Sequence, residues 1–178
     1  MKNSTVKADF VQPILVLTLI CLITSLLLAV GNFVTKPIID ETELAIAEAA
    51  RAEVLPAADG FTKLDVTLPE GTFVTEAYAA NNGAGYVFMV TCNGYGGKAT
   101  MNLICGVDAN GAIVDSKVLS HKETAGLGSK VTEDGFKGQF PGQSALDSID
   151  TISGATFSSN YYIEGIQSAL DAYAAIAG

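Results

Sequence analysis

Between Asp9 and Lys36 the chain carries no charged residue. A helix over that stretch would measure roughly 39 Å at ~1.5 Å per residue, more than the ~30 Å hydrocarbon core of a bilayer. Its centre is aliphatic, from Ile14-Leu15-Val16-Leu17 to Leu26-Leu27-Leu28, and the hydroxyls of Thr18, Thr24 and Ser25 can bond back to helix carbonyls. A cleavable signal sequence has an apolar region of only ~7–15 residues, so the stretch reads as a retained single span. Lys2 and Lys7 precede it, while Lys36 behind it is followed by Asp40, Glu41 and Glu43. The positive-inside bias then places the N-terminus in the cytoplasm and residues 37–178 on the outer side of a cell membrane.

The charge balance narrows the partners. Ten Lys and Arg stand against 19 Asp and Glu, a net charge of −9, which excludes nucleic acid as a partner. An acidic outer portion is also repelled by anionic lipid, so contact with the membrane runs through the span or through protein partners. Hydrophobic residues make up 49% of the chain, enough to bury a core and too many for a disordered segment. Three cysteines and one histidine leave no scope for a thiolate-rich metal module. Cys21 lies in the span; Cys92 and Cys105 could pair in an oxidising space, but their spacing does not demand it, and they read as two buried free thiols.

Beyond the span, residues 42–55 are rich in helix formers and stop at Pro56, as a juxtamembrane helix would. Strand-like stretches follow at 61–68, 72–79, 85–92, 98–107 and 112–120. The last follows Asp108-Ala109-Asn110-Gly111, whose Asn-Gly pair suits a type I′ hairpin turn. Regular strand spacing with Gly- and Asn-rich turns implies an antiparallel sheet. Residues 121–156 mix Gly, Ser, Asp and Lys as a long loop would. Ile163, Ile166, Leu170 and Tyr173 then recur at helical spacing, with Ser158, Ser159 or Asn160 available to cap the helix. The expected organisation is a cytoplasmic N-terminus and anchor over 1–36, a juxtamembrane helix or linker over 37–56, and an α+β domain over 57–178. No internal repeat is present.

Several chemistries fail on spacing. Gly97-Lys98 is followed by Ala99, and no glycine stands where a P-loop needs its first one. Gly94-Tyr95-Gly96 begins a dinucleotide-like pattern that breaks at Ala99, with no helix after it. A Ser-His-Asp triad would have to use His121, and no Gly-x-Ser-x-Gly elbow presents a nucleophile. What remains is Asp150-Thr151-Ile152-Ser153-Gly154-Ala155-Thr156-Phe157-Ser158-Ser159, a loop of small residues running into a helix N-terminus. Unpaired amides and the positive dipole end favour an anion there, and the small residues let a ligand approach the backbone. On the residues alone a phosphate site and a plain capping loop are equally good readings.

Asp150-x-x-Ser153-Gly154-Ala155-Thr156 matches at every specified position the motif on which bacterial flavin transferases attach FMN. The chain as a whole resembles the G subunits of Rnf-type electron-transport complexes and, more distantly, the C subunits of sodium-pumping NADH:quinone reductases. The resemblance is carried by the span, Gly94-Tyr95-Gly96-Gly97, the His121–Gly128 loop and the Thr156 motif. It implies an extracytoplasmic FMN-binding domain with FMN held as a phosphoester on Thr156, within reach of Asp150, Ser153, Gly154, Ala155 and Ser158. It also implies a flavin transferase during maturation, other membrane subunits as partners, and no catalysis by this chain alone. Such complexes pass electrons between ferredoxin and NAD⁺ with coupled Na⁺ or H⁺ movement.

His121-Lys122-Glu123-Thr124-Ala125-Gly126-Leu127-Gly128 resembles the family's Glu-Thr-Pro-Gly-Leu-Gly loop, which lies against the flavin ring, with Ala125 where proline is common. By that resemblance Glu123 and Thr124 hydrogen-bond the ring or ribityl chain, Leu127 packs on the ring face, and Gly126 and Gly128 belong to the same cofactor-binding loop, whereas in a plain turn the glycines would serve only their backbone angles. The bland alternative is a turn with a solvated glutamate. His121 is expected to stabilise the loop. Tyr95 could flank the cofactor or simply occupy a hairpin turn, Phe157 could touch it, and Tyr161-Tyr162 suit core packing. A stand-alone surface flavoprotein and an unmodified tethered binding domain are the two other functions these residues allow.

Overall fold

The computed structural model describes residues 3–66 and 71–177. Helix α1, Asn3–Val54, opens the chain. Its segment Val11–Lys36 is long and apolar enough to cross a membrane. Within it Thr18 Oγ1 donates to the Ile14 carbonyl at 2.8 Å and Thr24 Oγ1 to the Ile20 carbonyl at 2.9 Å, so these hydroxyls are satisfied inside the helix. The anchor and juxtamembrane stretches, separate in the sequence reading, are one uninterrupted helix. It ends where Pro56 disfavours helical backbone at the residue before it.

The compact unit that begins at Ala47 is built on a five-stranded antiparallel meander. Its strands are β1 Phe61–Leu64, β2 Val74–Ala80, β3 Gly85–Asn93, β4 Ala99–Asp108 and β5 Ile113–His121, paired in chain order. β1 stops short of the expected 61–68, and Leu68 lies outside the described residues. The central strands are apolar on both faces. From β3 and β4, Phe88, Val90, Cys92, Met101, Leu103, Cys105 and Val107 enter the main core. Val87 and Ile104 point the other way and pack with Ala50, Val54 and Leu55 at the end of α1. Period-two alternation with both faces covered explains why these strands read as nearly continuous apolar runs.

Helix α3, Thr156–Ala177, covers the main face with Tyr162, Ile166, Ala169 and Leu170 fully or largely buried and Ile163 and Tyr173 at the margin. It lies low on the sheet because Gly165 has no side chain: a Cβ there would come 3.0 Å from Leu103 Cδ1 and 3.2 Å from Cys92 Sγ. Tyr162 is a core residue, edge-on to Phe136 at 5.3 Å, with its hydroxyl 2.8 Å from Ser116 Oγ. Phe136 comes from the short helix α2, Asp134–Lys137, which follows a 3₁₀ turn, Gly128–Thr132; the stretch expected to be one long loop thus holds two helical turns.

Two local expectations are corrected. The β4–β5 turn is not type I′, because among the described residues no non-glycine has positive φ, Asn110 included. Asp108 Oδ1 instead accepts from the amides of Asn110 (2.8 Å) and Ala112 (2.9 Å), and Gly111 alone takes φ +85°, a three-residue loop with a glycine bulge. Those amides, Ala112 first, hold the Asp108 carboxyl below its usual range. Ser158, Ser159 and Asn160 lie inside α3 and do not cap it, because the helix starts earlier: the Ser159 amide already donates to the Ala155 carbonyl at 2.9 Å.

Cys92 and Cys105 are buried free thiols, and register explains it. Cys92 pairs with Met101 and Cys105 with Phe88, so the two lie four residues apart along the ladder, roughly 13 Å. A disulfide needs Cα atoms within about 7 Å. Burial pushes both thiols up to about 12, which keeps them protonated at neutral pH.

On the second face α1 comes very close to β4 at Gly106, where a Cβ would fall 2.2 Å from the Val54 carbonyl oxygen. Gly106→Ala is expected to destabilise the domain by ~1–3 kcal/mol, because the end of α1 must lift from β4. Gly135→Ala, where a Cβ meets nothing within 4 Å, should be nearly neutral. Denaturation midpoints check this; equal midpoints for both variants would contradict the close approach.

Candidate functional site

Three loops meet beside the start of α3 and enclose an open cleft of about 250 Å³. The first is the β3–β4 turn, where Gly96 (φ +94°) and Gly97 (φ +70°) adopt backbone that favours glycine and leave Tyr95 projecting, 70% exposed. The second follows β5 and contributes Glu123, Thr124, Leu127 and Gly128. Its bend is closed on the Thr124 carbonyl, which accepts from the amides of Leu127 and Ser129, both at 3.2 Å. Gly126, at φ +77°, turns the chain there without lining the cleft.

The third loop is the Asp150–Thr156 segment. Ala155 donates to the Ile152 carbonyl at 2.9 Å, closing a turn whose third residue, Gly154, has φ +82°. A turn of that kind needs positive φ at its third position, which is the physical reason for the glycine. Ser159 Oγ donates to the Ala155 carbonyl (3.0 Å) and accepts from the Ile152 amide (3.1 Å), so a residue of the helix sets the shape of the loop before it. Gln139 holds the other end: its carboxamide accepts from the Asp150 amide at 2.8 Å and donates to the Asp150 carbonyl at 3.1 Å. The result presents Thr156 as the first residue of α3, exposed on the cleft wall, with Gly154, Ala155, Phe157 and Ser158 beside it. Asp150 and Ser153 are exposed and do not line the cleft.

Apolar side chains rim this opening. Outside α1, the exposed large hydrophobic residues among those described are Val66, Tyr95, Leu127 and Phe157, and the last three all line the cleft. Tyr95 and Phe157 come from different loops and meet edge-on at 6.3 Å. Isolated exposed apolar residues are ordinary, but three converging on one concavity mark a binding surface.

Glu123 sits beneath them, 9% exposed. One carboxylate oxygen accepts from the Tyr95 amide at 3.0 Å, and the other accepts from Ser158 Oγ. Each donor belongs to a different wall, and the two bonds offset the desolvation of a buried carboxylate. Glu123's own amide donates to His121 Nδ1 at 3.1 Å, leaving Nε2 to carry the proton in the neutral ring, so His121 supports the loop. The structure therefore gathers Tyr95, Glu123, Thr124, Leu127, Gly128, Gly154, Ala155, Thr156 and Ser158 around one space and leaves Gly126, Asp150 and Ser153 outside it. Phe157 joins the wall through its place next to Thr156. Gln139 carries no local signal of its role, because its partner is fixed only by the fold.

Residues 94–171 match the FMN-binding domain family, a range that contains all three loops. The chain is 27% identical to the G subunit of the proton-translocating ferredoxin:NAD(+) oxidoreductase complex of Clostridium ljungdahlii, over 87% of this chain and 86% of the relative. It is 28% identical to the G subunit of the Na(+)-translocating ferredoxin:NAD(+) oxidoreductase complex of Acetobacterium woodii, over 85% and 79%. Against the G subunit of the ion-translocating oxidoreductase complex of Cereibacter sphaeroides identity rises to 35%, over 75% of this chain and 64% of the relative. Cleft, matched range and relatives agree: residues 94–171, which carry the cleft, match the FMN-binding domain family, and over most of its length the chain is similar to the G subunits of ion-translocating oxidoreductase complexes.

Proposed function

We propose that this chain is a membrane-anchored electron relay, carrying FMN esterified through its phosphate to Thr156 as one subunit of a complex that passes electrons between ferredoxin and NAD⁺. The observation that carries the reading is the placement of an exposed Thr156 at the first position of α3, on the wall of an apolar-rimmed cleft inside the matched range. The residues suit the group. A phosphodiester keeps one negative charge, and the first amides of a 22-residue helix are free to meet it. Gly154 and Ala155 leave room for the phosphate, and Tyr95, Leu127 and Phe157 offer apolar surface to a flat ring.

When bound, FMN supplies one- and two-electron chemistry that no side chain of this protein has. The chain's own residues bind, orient and expose it. A cleft of about 250 Å³ is smaller than the ~300–1,000 Å³ of sites that enclose a drug-sized ligand, so it leaves part of a ring open to a partner. An ester bond suits a carrier on the outer face of a membrane, where a lost cofactor is not readily replaced. Ion movement belongs to other subunits, since the one candidate span among the described residues, uncharged from Val11 to Thr35, provides no intramembrane polar path. The relatives' names fit a complex that moves ions: one is called proton-translocating and another Na(+)-translocating.

Attachment is tested by in-gel flavin fluorescence after full denaturation, on protein co-expressed with a flavin transferase. The wild-type band should fluoresce and Thr156→Val should be dark, with stability within about 0.5 kcal/mol because the site is exposed and the shape nearly kept. A dark wild-type band beside an active control would overturn the reading. Orientation is tested separately with added protease. Residues 57–178 should be digested in right-side-out vesicles and protected in inverted ones; the reverse pattern would place the domain in the cytoplasm.

A further inference from the structure

The motif reading leaves Glu123 as a polar contact for the cofactor, but its surroundings describe something else. Both carboxylate oxygens already have donors inside the protein, the Tyr95 amide at 3.0 Å and the Ser158 hydroxyl. The group also fills space that two glycines leave open. A Cβ at Gly94 would lie 2.0 Å from Oε1, and a Cβ at Gly128 would lie 2.4 Å from Oε2. The carboxylate thus touches the β3–β4 turn, its own loop and the first turn of α3 at once. Those three segments carry Tyr95, Leu127 and Phe157, the apolar rim, and the last also carries Thr156.

We propose that Glu123 is a positioning residue, a clamp that holds the three walls of the cleft in fixed relation so that a flavin tethered at Thr156 is immobilised between Tyr95, Leu127 and Phe157. A phosphoester alone would leave the ring free to swing about its ribityl chain, and a relay needs the ring at a set distance from its partners. The clamp works by hydrogen bonding and by shape, so it does not need the charge. In Glu123→Gln the carboxamide oxygen can still accept from the Tyr95 amide while its nitrogen donates to Ser158 Oγ. In Glu123→Ala both bonds and the filled volume are lost.

The clamp itself is read in flavin-free full-length protein by hydrogen exchange. Glu123→Ala should speed exchange about tenfold or more in the segments around 94–100, 122–128 and 152–160 together, leaving β4 and β5 residues 103–118 unchanged, and Glu123→Gln should stay within a few-fold of wild type. Its consequence, which rests on the proposed attachment, is read by flavin fluorescence anisotropy in loaded protein with loading checked on a denaturing gel. Wild type and Glu123→Gln should show one slow decay, and Glu123→Ala should add a fast one. If Glu123→Ala does not fold, Ser158→Ala cuts the helix arm alone and should free residues 152–160 from the turn. Exchange that rises in one segment only, a glutamine variant as loose as the alanine variant, or unchanged anisotropy in fully loaded Glu123→Ala would each overturn the clamp. A wild-type chain that takes up no flavin would defeat the attachment reading and leave the exchange result to decide the clamp.

Discussion

A sheet whose central strands are apolar on both sides must be covered twice, and that requirement organises this molecule. Phe88, Val90, Leu103 and Cys105 face α3, while Val87 and Ile104 face the last turns of α1. Glycines set how closely each cover approaches, Gly165 on one face and Gly106 on the other. Because α3 must lie along the main face, its N-terminus is delivered to the end of the sheet where β3 turns into β4 and β5 ends. The cleft forms there, from loops that the packing brings together.

Much of this was legible in the sequence, for identifiable reasons. The five strands announce themselves by apolar runs between turn residues, and α3 by its 3–4 spacing, since burial on a sheet or helix imposes those periods. The Asn110-Gly111 turn misled because its geometry is decided by the Asp108 carboxylate, a capping interaction that outweighs the dipeptide's preference. The start of α3 misled for a related reason. Ser158 and Ser159 look like caps, but Ser158 is drawn to Glu123 and Ser159 turns back to the Ala155 carbonyl.

The site was legible in its parts and not in its assembly. Thr156 and the Glu123–Gly128 loop stood out through resemblance, and Gly154 has a turn that explains it. Nothing local tells a reader that Gly94 is a glycine because a glutamate 29 positions later occupies its side-chain space. Nor does anything local connect Gln139 to Asp150. These are long-range pairings set by strand register and helix placement, invisible to any window of sequence. They decide which candidates line the cleft and which shape it from behind.

The relay proposed above makes FMN on Thr156 an obligatory stop for electrons. The direct measurement is ferredoxin-dependent NAD⁺ reduction by the intact complex assembled with either wild-type chain or Thr156→Val. With equal assembly of both complexes, the variant should lose at least about 90% of the wild-type rate, since no other group in this chain accepts an electron. A Thr156→Val complex that reduces NAD⁺ at the wild-type rate would show that electrons do not pass through this chain.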